Sequence, residues 1–233
     1  FEEIHPSLLK SFDMTTSNIP FGDTLVYDKG YLKKDAPEVH QLATRKVHNY
    51  FFVKGLDTLR EGGVLAFITS QGVADSAANE PIRRYLMENS RLISAIRLPN
   101  NLFTENAGTE AGSDLIVLQK QTGKGVITEE EQRFIQTLSG DIPMNALFED
   151  MSRHVYTMRD RSTDLYGKPA WKTRHDGGID AIAADLRQAL KSHLSQSEFD
   201  LSLFQENNPI QKNIFPVPQP ELRQTENFIV PNA

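Results

Sequence analysis

Gly62-Gly63-Val64-Leu65-Ala66-Phe67-Ile68-Thr69 is the stretch on which the fold turns. A glycine pair followed by an uninterrupted apolar run has no alternation of polar and apolar positions. That is the pattern of a strand buried on both faces, as in a parallel sheet covered by helices. On its N-terminal side, residues 37–59 read as a helix. Leu42, Val47, Tyr50, Phe51, Val53, Lys54 and Leu56 form a broad apolar stripe with basic residues beside it, and Glu61-Gly62-Gly63 reads as its stop. Further back, residues 12–17 read as a short strand feeding the turn Asn18-Ile19-Pro20-Phe21-Gly22. Pro20 lacks an N–H and disfavours helix at Ile19, and Gly22 permits a tight exit into a loop over 23–37.

On the C-terminal side, a loop at 70–79 leads to a helix at 80–89 with Pro81 in its first turn. Leu92–Leu98 reads as the next strand, 99–112 as a polar loop, and Ser113–Lys120 as another buried strand. Strand, helix, strand, helix, strand suits right-handed crossovers. The last two strands have no helix between them, so they are expected to pair antiparallel at a sheet edge. The fold class is therefore α/β, the second half of a doubly wound sheet, mostly parallel with an antiparallel edge hairpin. From about residue 121 the character changes. A short helix is expected at 128–138 and an amphipathic helix at 179–195, while 141–178 is polar without periodicity. The expected division is 1–125 for the sheet, 126–204 for a helical or irregular extension, and 205–233 for a proline-containing linker or tail.

There are no cysteines, which excludes disulfides, thiolate zinc sites and cysteine nucleophiles and is compatible with a cytoplasmic location. No apolar run approaches the roughly 20 residues that span a bilayer, so no membrane partner is expected. No signal-peptide pattern opens the chain, and it starts at Phe1 and not Met, from which a true N-terminus upstream is expected. His40 with His48, and His154 with His175, lack cysteines or carboxylates at ligand spacing, so no metal is expected. His48 and Asn49 lie mid-helix and read as packing or capping partners, and Asp13 as a surface or loop-orienting residue beside the strand. Gly108, Gly112, Gly123 and Gly125 read as loop residues and not as a phosphate cradle. The formal charge of −6 argues against a protein that coats nucleic acid but leaves room for a local basic patch. One such stretch holds Arg153, Arg159, Arg161, Lys168, Lys172 and Arg174, with Tyr156, Tyr166 and Trp171 interleaved and only Asp160 and Asp164 opposing. It reads either as a solvated connector or as a contact for phosphates and bases.

The tetrad Asn18-Ile19-Pro20-Phe21 carries the chemistry. A strand ending in Asn-x-Pro-aromatic sets a side-chain amide, backbone carbonyls and an aromatic face at the rim of a sheet, which suits a flat heterocycle bearing an NH2 group. The tetrad resembles the catalytic Asn-Pro-Pro-Tyr/Phe motif of amino-methylating DNA methyltransferases. Later blocks resemble the same family in the same order: His48–Phe52 with Leu59–Gly63, Val64–Ser70, Arg97–Phe103 and Gly112–Gln119. More narrowly, 1–140 resembles the N6-adenine methylase part of large methylase–helicase proteins of bacterial mobile elements, a restriction–modification setting.

The resemblance implies transfer of a methyl group from S-adenosylmethionine to adenine N6 in DNA. The Asn18 side-chain oxygen and the Ile19 carbonyl would accept from the amine, Pro20 would stiffen the turn, and Phe21 would stack on the flipped base. Arg97, Asn100 and Asn101 fall near the loop that approaches that base in related enzymes. With Arg159, Arg161 and Lys172 they are the candidate substrate contacts. Ile19 stands where the family has Pro. The family's glycine-rich cofactor turn should precede Asn18, and only seventeen residues do, so the cofactor-binding residues are expected upstream of Phe1 and the chain alone is expected to be inactive. The implied partners are DNA and a helicase region of the same polypeptide. A sheet lacking its front strands would expose an apolar edge and favour self-association. The same tetrad logic serves methylation of RNA or of a protein glutamine, and the rival outside enzymology is a non-catalytic module that binds DNA or a helicase.

Overall fold

The computed structural model describes residues 1–22, 24–104, 108, 110–163, 167 and 169–206. Its centre is a four-stranded sheet of β1 (Phe12–Asn18), β2 (Leu59–Ser70), β3 (Ser90–Leu98) and β4 (Ser113–Lys120), in the order β1-β2-β4-β3. β1 and β2 are parallel, with Met14 opposite Val64 and Asn18 opposite Ile68. β4 is antiparallel to both neighbours, with Phe67 opposite Ile116 and Ala95 opposite Ile116. β1, β2 and β3 therefore run the same way. They end at one rim, at Asn18, Ser70 and Leu98, where β4 begins at Ser113. The antiparallel hairpin expected at the edge is present, with β4 inserted against β2 and β3 outermost.

The apolar run of β2 is buried unevenly. Leu65 and Phe67 are fully buried with Leu92, Ala95, Ile116 and Leu118 in one core cluster, against Phe52, Val53 and Leu56 of α2 (Val47–Thr58) and Ile82 and Leu86 of α4 (Glu80–Asn89). On the other face Val64, Ala66 and Ile68 are half-buried. There α6 (Gly178–Gln196) lays Ile182, Leu186, Ala189 and Leu190 over Ile96, Leu98, Leu115 and Ile68. At the other end of the sheet, β1 is an edge strand whose exposed side chains are polar apart from Met14. This corrects the expectation of an apolar edge.

The helix expected over 37–59 is two helices, α1 (Glu38–Ala43) and α2. The Thr44 hydroxyl bonds back to the Gln41 carbonyl (2.8 Å), and the Thr44 carbonyl accepts from the Val26 amide (2.9 Å), which ties the preceding loop into the break. Lys46 is extended (φ −143°, ψ 128°) and starts α2 afresh. α2 ends at Thr58, and Glu61-Gly62-Gly63 lies inside β2, at the irregularity where the pairing jumps from Leu59 to Val64. Gly62 has φ +78°, and a Cβ there would lie 2.5 Å from the carbonyl oxygen of Leu203, in the short helix α7 (Leu201–Glu206) that crosses it. Glycine is required for both reasons.

After β2 the chain makes the single turn α3 (Gly72–Asp75) and then α4. Beyond β4, α5 (Glu129–Ile135) opens on a capping box in which Thr128 and Glu131 satisfy each other's backbone amides. Residues 137–174, which take in the end of the helix expected at 128–138 and most of the polar stretch 141–178, contain two antiparallel pairs. They are β5 (Thr137–Leu138) with β6 (Met144–Asn145), and the longer ribbon of β7 (Met158–Thr163) with β8 (Pro169–Arg174). Residues 207–233, most of the expected tail, lie outside the described residues.

Two buried arginines bind this extension to the sheet. Arg83 of α4 is fully buried and donates to the carbonyls of Val73, Ser76 and Ile135 and to the Thr137 hydroxyl. Burial pushes its pKa down to about 10, against the pull of Asp75 and Glu80. Arg97 of β3 grips Asp114 of β4 with two bonds (2.9 and 3.1 Å), donates to Asp75 of α3 (2.9 Å), and lies 4.1 Å over the ring of Phe148. Burial would lower its pKa, but the two carboxylates outweigh that and raise it. Asp75 also accepts from the Asn145 amide (2.8 Å), and the Arg97 carbonyl accepts from the Val155 amide (2.9 Å).

Arg97→Met leaves Asp114 buried without its cation, and urea denaturation should show a loss of about 3–5 kcal/mol. The double variant Arg97→Met with Asp114→Leu should recover part of that loss; no recovery would mean that the ion pair is not what Arg97 contributes. A second expectation concerns His154, whose Nε2–H donates to the Phe148 carbonyl (2.8 Å) and whose pKa burial lowers to about 4. Its folded pKa lies below the unfolded value, so the stability it contributes is present above about pH 6.5 and is lost as pH falls toward 4. Denaturant midpoints measured across that window should fall, and fall less in His154→Gln.

Candidate functional site

The rim where β1, β2 and β3 end gathers the tetrad and the turn after β3. Asn18 is exposed at the tip of β1, and its side chain makes no hydrogen bond with the described residues. Ile19 is 1 % exposed and belongs to the main core cluster. Its amide donates to the Ile68 carbonyl (3.0 Å), carrying the parallel pairing one residue beyond the strand. Its own carbonyl accepts nothing from the described residues. The N–H that distinguishes Ile from the family's Pro is thus used, and a buried side chain supplies stiffness in place of a ring. Pro20 and Phe21 are exposed, and Phe21 meets Phe103 edge-on with centroids 6.2 Å apart.

The loop after the tetrad is fastened from below. Asp28, buried, accepts from the amides of Gly30 (2.7 Å) and Tyr31 (3.2 Å), the Tyr50 hydroxyl (2.7 Å) and Lys54 Nζ (2.9 Å). Burial alone would raise its pKa. The Lys54 and Tyr50 bonds outweigh that and hold it below the usual carboxylate range. Tyr31 reaches Asp57 of α2 and stacks on His40, centroids 4.2 Å apart. Asn49 donates to Asn79 (3.0 Å), the packing role expected of it. Among the described residues no group of three or more His, Cys, Asp or Glu could hold a metal ion.

The candidate substrate contacts fall into three groups. Arg97 is buried beneath the rim in the ion cluster described above, which corrects its placement as a substrate contact. Asn100 and Asn101 lie in the turn 100–103 but are engaged with the ribbon. Asn100 Oδ1 accepts from the Thr173 amide (3.0 Å) and hydroxyl (2.7 Å). Asn101 exchanges both bonds of its amide with the His175 backbone, each 3.0 Å. They are braces between rim and ribbon, a correction of the second kind. Arg159, Arg161 and Lys172 are on the ribbon and reach solvent. Arg159 lies 4.4 Å over the ring of Trp171, Arg161 pairs with Asp141 (2.6 Å), and Lys172 pairs with Glu110. Arg153 is buried against Glu130 and leaves the basic stretch, whereas Arg174 is exposed. Asp164, Tyr166 and Lys168 lie outside the described residues.

Sequence reasoning missed Phe103 and Gln71. Gln71 follows β2 and packs against Gly112, where a Cβ would lie 2.5 Å from Gln71 Oε1. Neither carries a local signal; only the meeting of strand ends puts them at the rim. A cavity of about 480 Å³ lies between Arg91, Glu130, Arg153 and Glu198, and one of about 460 Å³ between Val39, Pro81 and Tyr85. The tetrad lines neither. Among the described residues no glycine-rich turn joins a strand to a helix at the rim. The described residues at the rim do not form a cradle for an adenosyl cofactor.

A family model described as N-6 DNA Methylase matches residues 1–167. No curated protein matches the chain. Among solved structures, the type I restriction enzyme EcoKI M protein is 14% identical, with 79% of this chain and 48% of that chain covered and a TM-score of 0.38. A modification subunit of a candidate type I restriction enzyme from Vibrio vulnificus YJ016 is 16% identical, with 72% and 38% covered and a TM-score of 0.39. A candidate class I S-adenosylmethionine-dependent methyltransferase from Listeria monocytogenes is 18% identical, with 52% and 36% covered and a TM-score of 0.40. The chain spans less than half the length of each of these proteins.

The position of Ile19 yields a direct test. Ile19→Pro removes the N–H that satisfies the Ile68 carbonyl and empties part of a buried site. It should destabilise the fold by about 2–4 kcal/mol. Ile19→Val keeps the N–H and should cost about 0.5–1.5 kcal/mol. Equal losses in thermal or urea denaturation would show that the backbone bond contributes nothing.

Proposed function

The chain belongs to the N-6 DNA methylase family, and from that premise we propose that it is the amine-accepting portion of a methyltransferase acting on adenine N6 in DNA. The observation that carries this reading is the pair of unclaimed acceptors at the end of β1. The Asn18 side chain is exposed, and the Ile19 carbonyl is free among the described residues on a backbone held by the Ile68 bond.

The lone pair of an adenine amine is delocalised into its ring, which makes the nitrogen a poor nucleophile. Two acceptors aimed at its two hydrogens return that lone pair to nitrogen and stabilise the positive charge that grows there as the new N–C bond forms. Because the acceptors are fixed beforehand, little reorganisation opposes the step. The proton leaves along the same hydrogen bonds to solvent, so no strong general base is required. Phe21, held at one edge by Phe103, offers its exposed face to a base turned out of the helix. S-adenosylmethionine would be the methyl donor in this reading: its sulfonium–methyl bond would break as the N–C bond forms, and the neutral thioether would leave. The described residues contribute the amine side of the reaction.

The test is transfer of labelled methyl from S-adenosylmethionine by the full protein that carries this sequence. Adenine-containing DNA, RNA and a glutamine peptide are compared as acceptors. DNA should be labelled at adenine N6, and Asn18→Ala should lower the rate by about 10²–10³-fold or more. Since Asn18 is exposed and unbonded, the melting temperature should not move. Full activity in Asn18→Ala, or preferred labelling of RNA or glutamine, would overturn the proposal.

A further inference from the structure

We propose that the β7–β8 ribbon is a grip for duplex DNA whose cations are held by Asp141 and Glu110 until phosphate displaces those carboxylates. This deepens the reading above and rests on it for the choice of DNA. The charge distribution is the first support. The chain as a whole is at −6, yet the two strands carry Arg159, Arg161, Lys172 and Arg174 against the single carboxylate Asp160. Opposed residues of an antiparallel pair share a face. The pairings Arg159 with Thr173 and Arg161 with Trp171 put two cations on one face, and Asp160 with Lys172 and Met158 with Arg174 put two on the other. Six paired residues make a ribbon about 20 Å long and two strands wide, which a major groove about 12 Å across admits. Cations on both faces suit a groove walled by phosphates on both sides.

Position is the second support. Asn100 and Asn101 fasten β8 and the residue after it to the turn at 100–103, and Phe103 of that turn touches Phe21. The ribbon is thus braced against the catalytic rim, and a duplex lying on it is carried past the tetrad. The Arg159–Trp171 stack adds a flat, cationic surface at the same place.

The carboxylates give the device its character. Asp141 comes from the loop between β5 and β6, and Glu110 from the loop between β3 and β4; their side chains are 81% and 41% exposed. Exposed pairs of this kind contribute little to stability, so they are poor braces and easily exchanged. Each instead lowers the affinity for DNA by occupying a cation that a phosphate would otherwise meet.

The experiment measures binding of a short fluorescent DNA duplex of mixed sequence to the chain, across a salt series and without methyl donor. Arg161→Ala and Lys172→Ala should each weaken binding and reduce the slope of log affinity against log salt by about 1. Asp141→Asn and Glu110→Gln should each tighten binding about two- to fivefold at low salt. These gain-of-binding variants keep the test sound if a loss variant is unstable. Unchanged affinity in all four variants, absence of duplex binding, or preference for single strands or RNA would overturn the proposal. Shifted binding in the ribbon variants with no methyl transfer would remove the enzymatic reading and leave the grip standing. Methyl transfer to DNA with unshifted binding would do the reverse.

Discussion

Arg97 is the group on which the architecture depends. A guanidinium this deeply buried survives only with its charge and its donors satisfied. Asp114 and Asp75 meet the charge, and the ring of Phe148 covers one face. Each partner comes from a different part of the chain: the last strand, the turn after β2, and the extension. Satisfying one side chain therefore locks β4 beside β3, sets α3 at the rim, and seats residues 144–155 against the sheet. Arg83 does the same from the helical side by donating to the carbonyls of Val73, Ser76 and Ile135.

That arrangement explains why the extension packs as part of the sheet's own core. Phe134, Ile135, Leu147 and Phe148 share a cluster with Leu65 and Ile116. With the extension fixed, the ribbon that follows it is fixed too, through the Val155 amide, Asn100 and Asn101. The proposed grip and the proposed chemical site thus sit on one rigid frame, and site precision depends on such support.

The turn at Asn18 shows how a departure from a family pattern is accommodated. Proline would fix the backbone through its ring. Isoleucine fixes it through the hydrogen bond from its amide to the Ile68 carbonyl and a side chain sunk in the core. Its own carbonyl accepts nothing from the described residues. Below the turn, the buried Asp28–Lys54–Tyr50 cluster holds the following loop to α2.

The sequence by itself determined the four strands of the central sheet, helix α4, the amphipathic α6, and the order of blocks that marks the family, because apolar periodicity and breaker residues act over a few neighbouring positions. The tetrad Asn18–Phe21 is legible there too, as a local pattern at a strand end. Other features were decided only by tertiary structure. The break between α1 and α2 depends on Thr44 meeting Val26, and the fate of Gly62 on α7 crossing over it. Arg97, Asn100 and Asn101 are polar residues beside a promising loop, and sequence cannot say whether such groups face a substrate or one another. Their partners lie 17 to 74 residues away. The ribbon escaped notice because its strands are short, polar and exposed, so no hydrophobic alternation marks them, and only their pairing with each other makes them a structure.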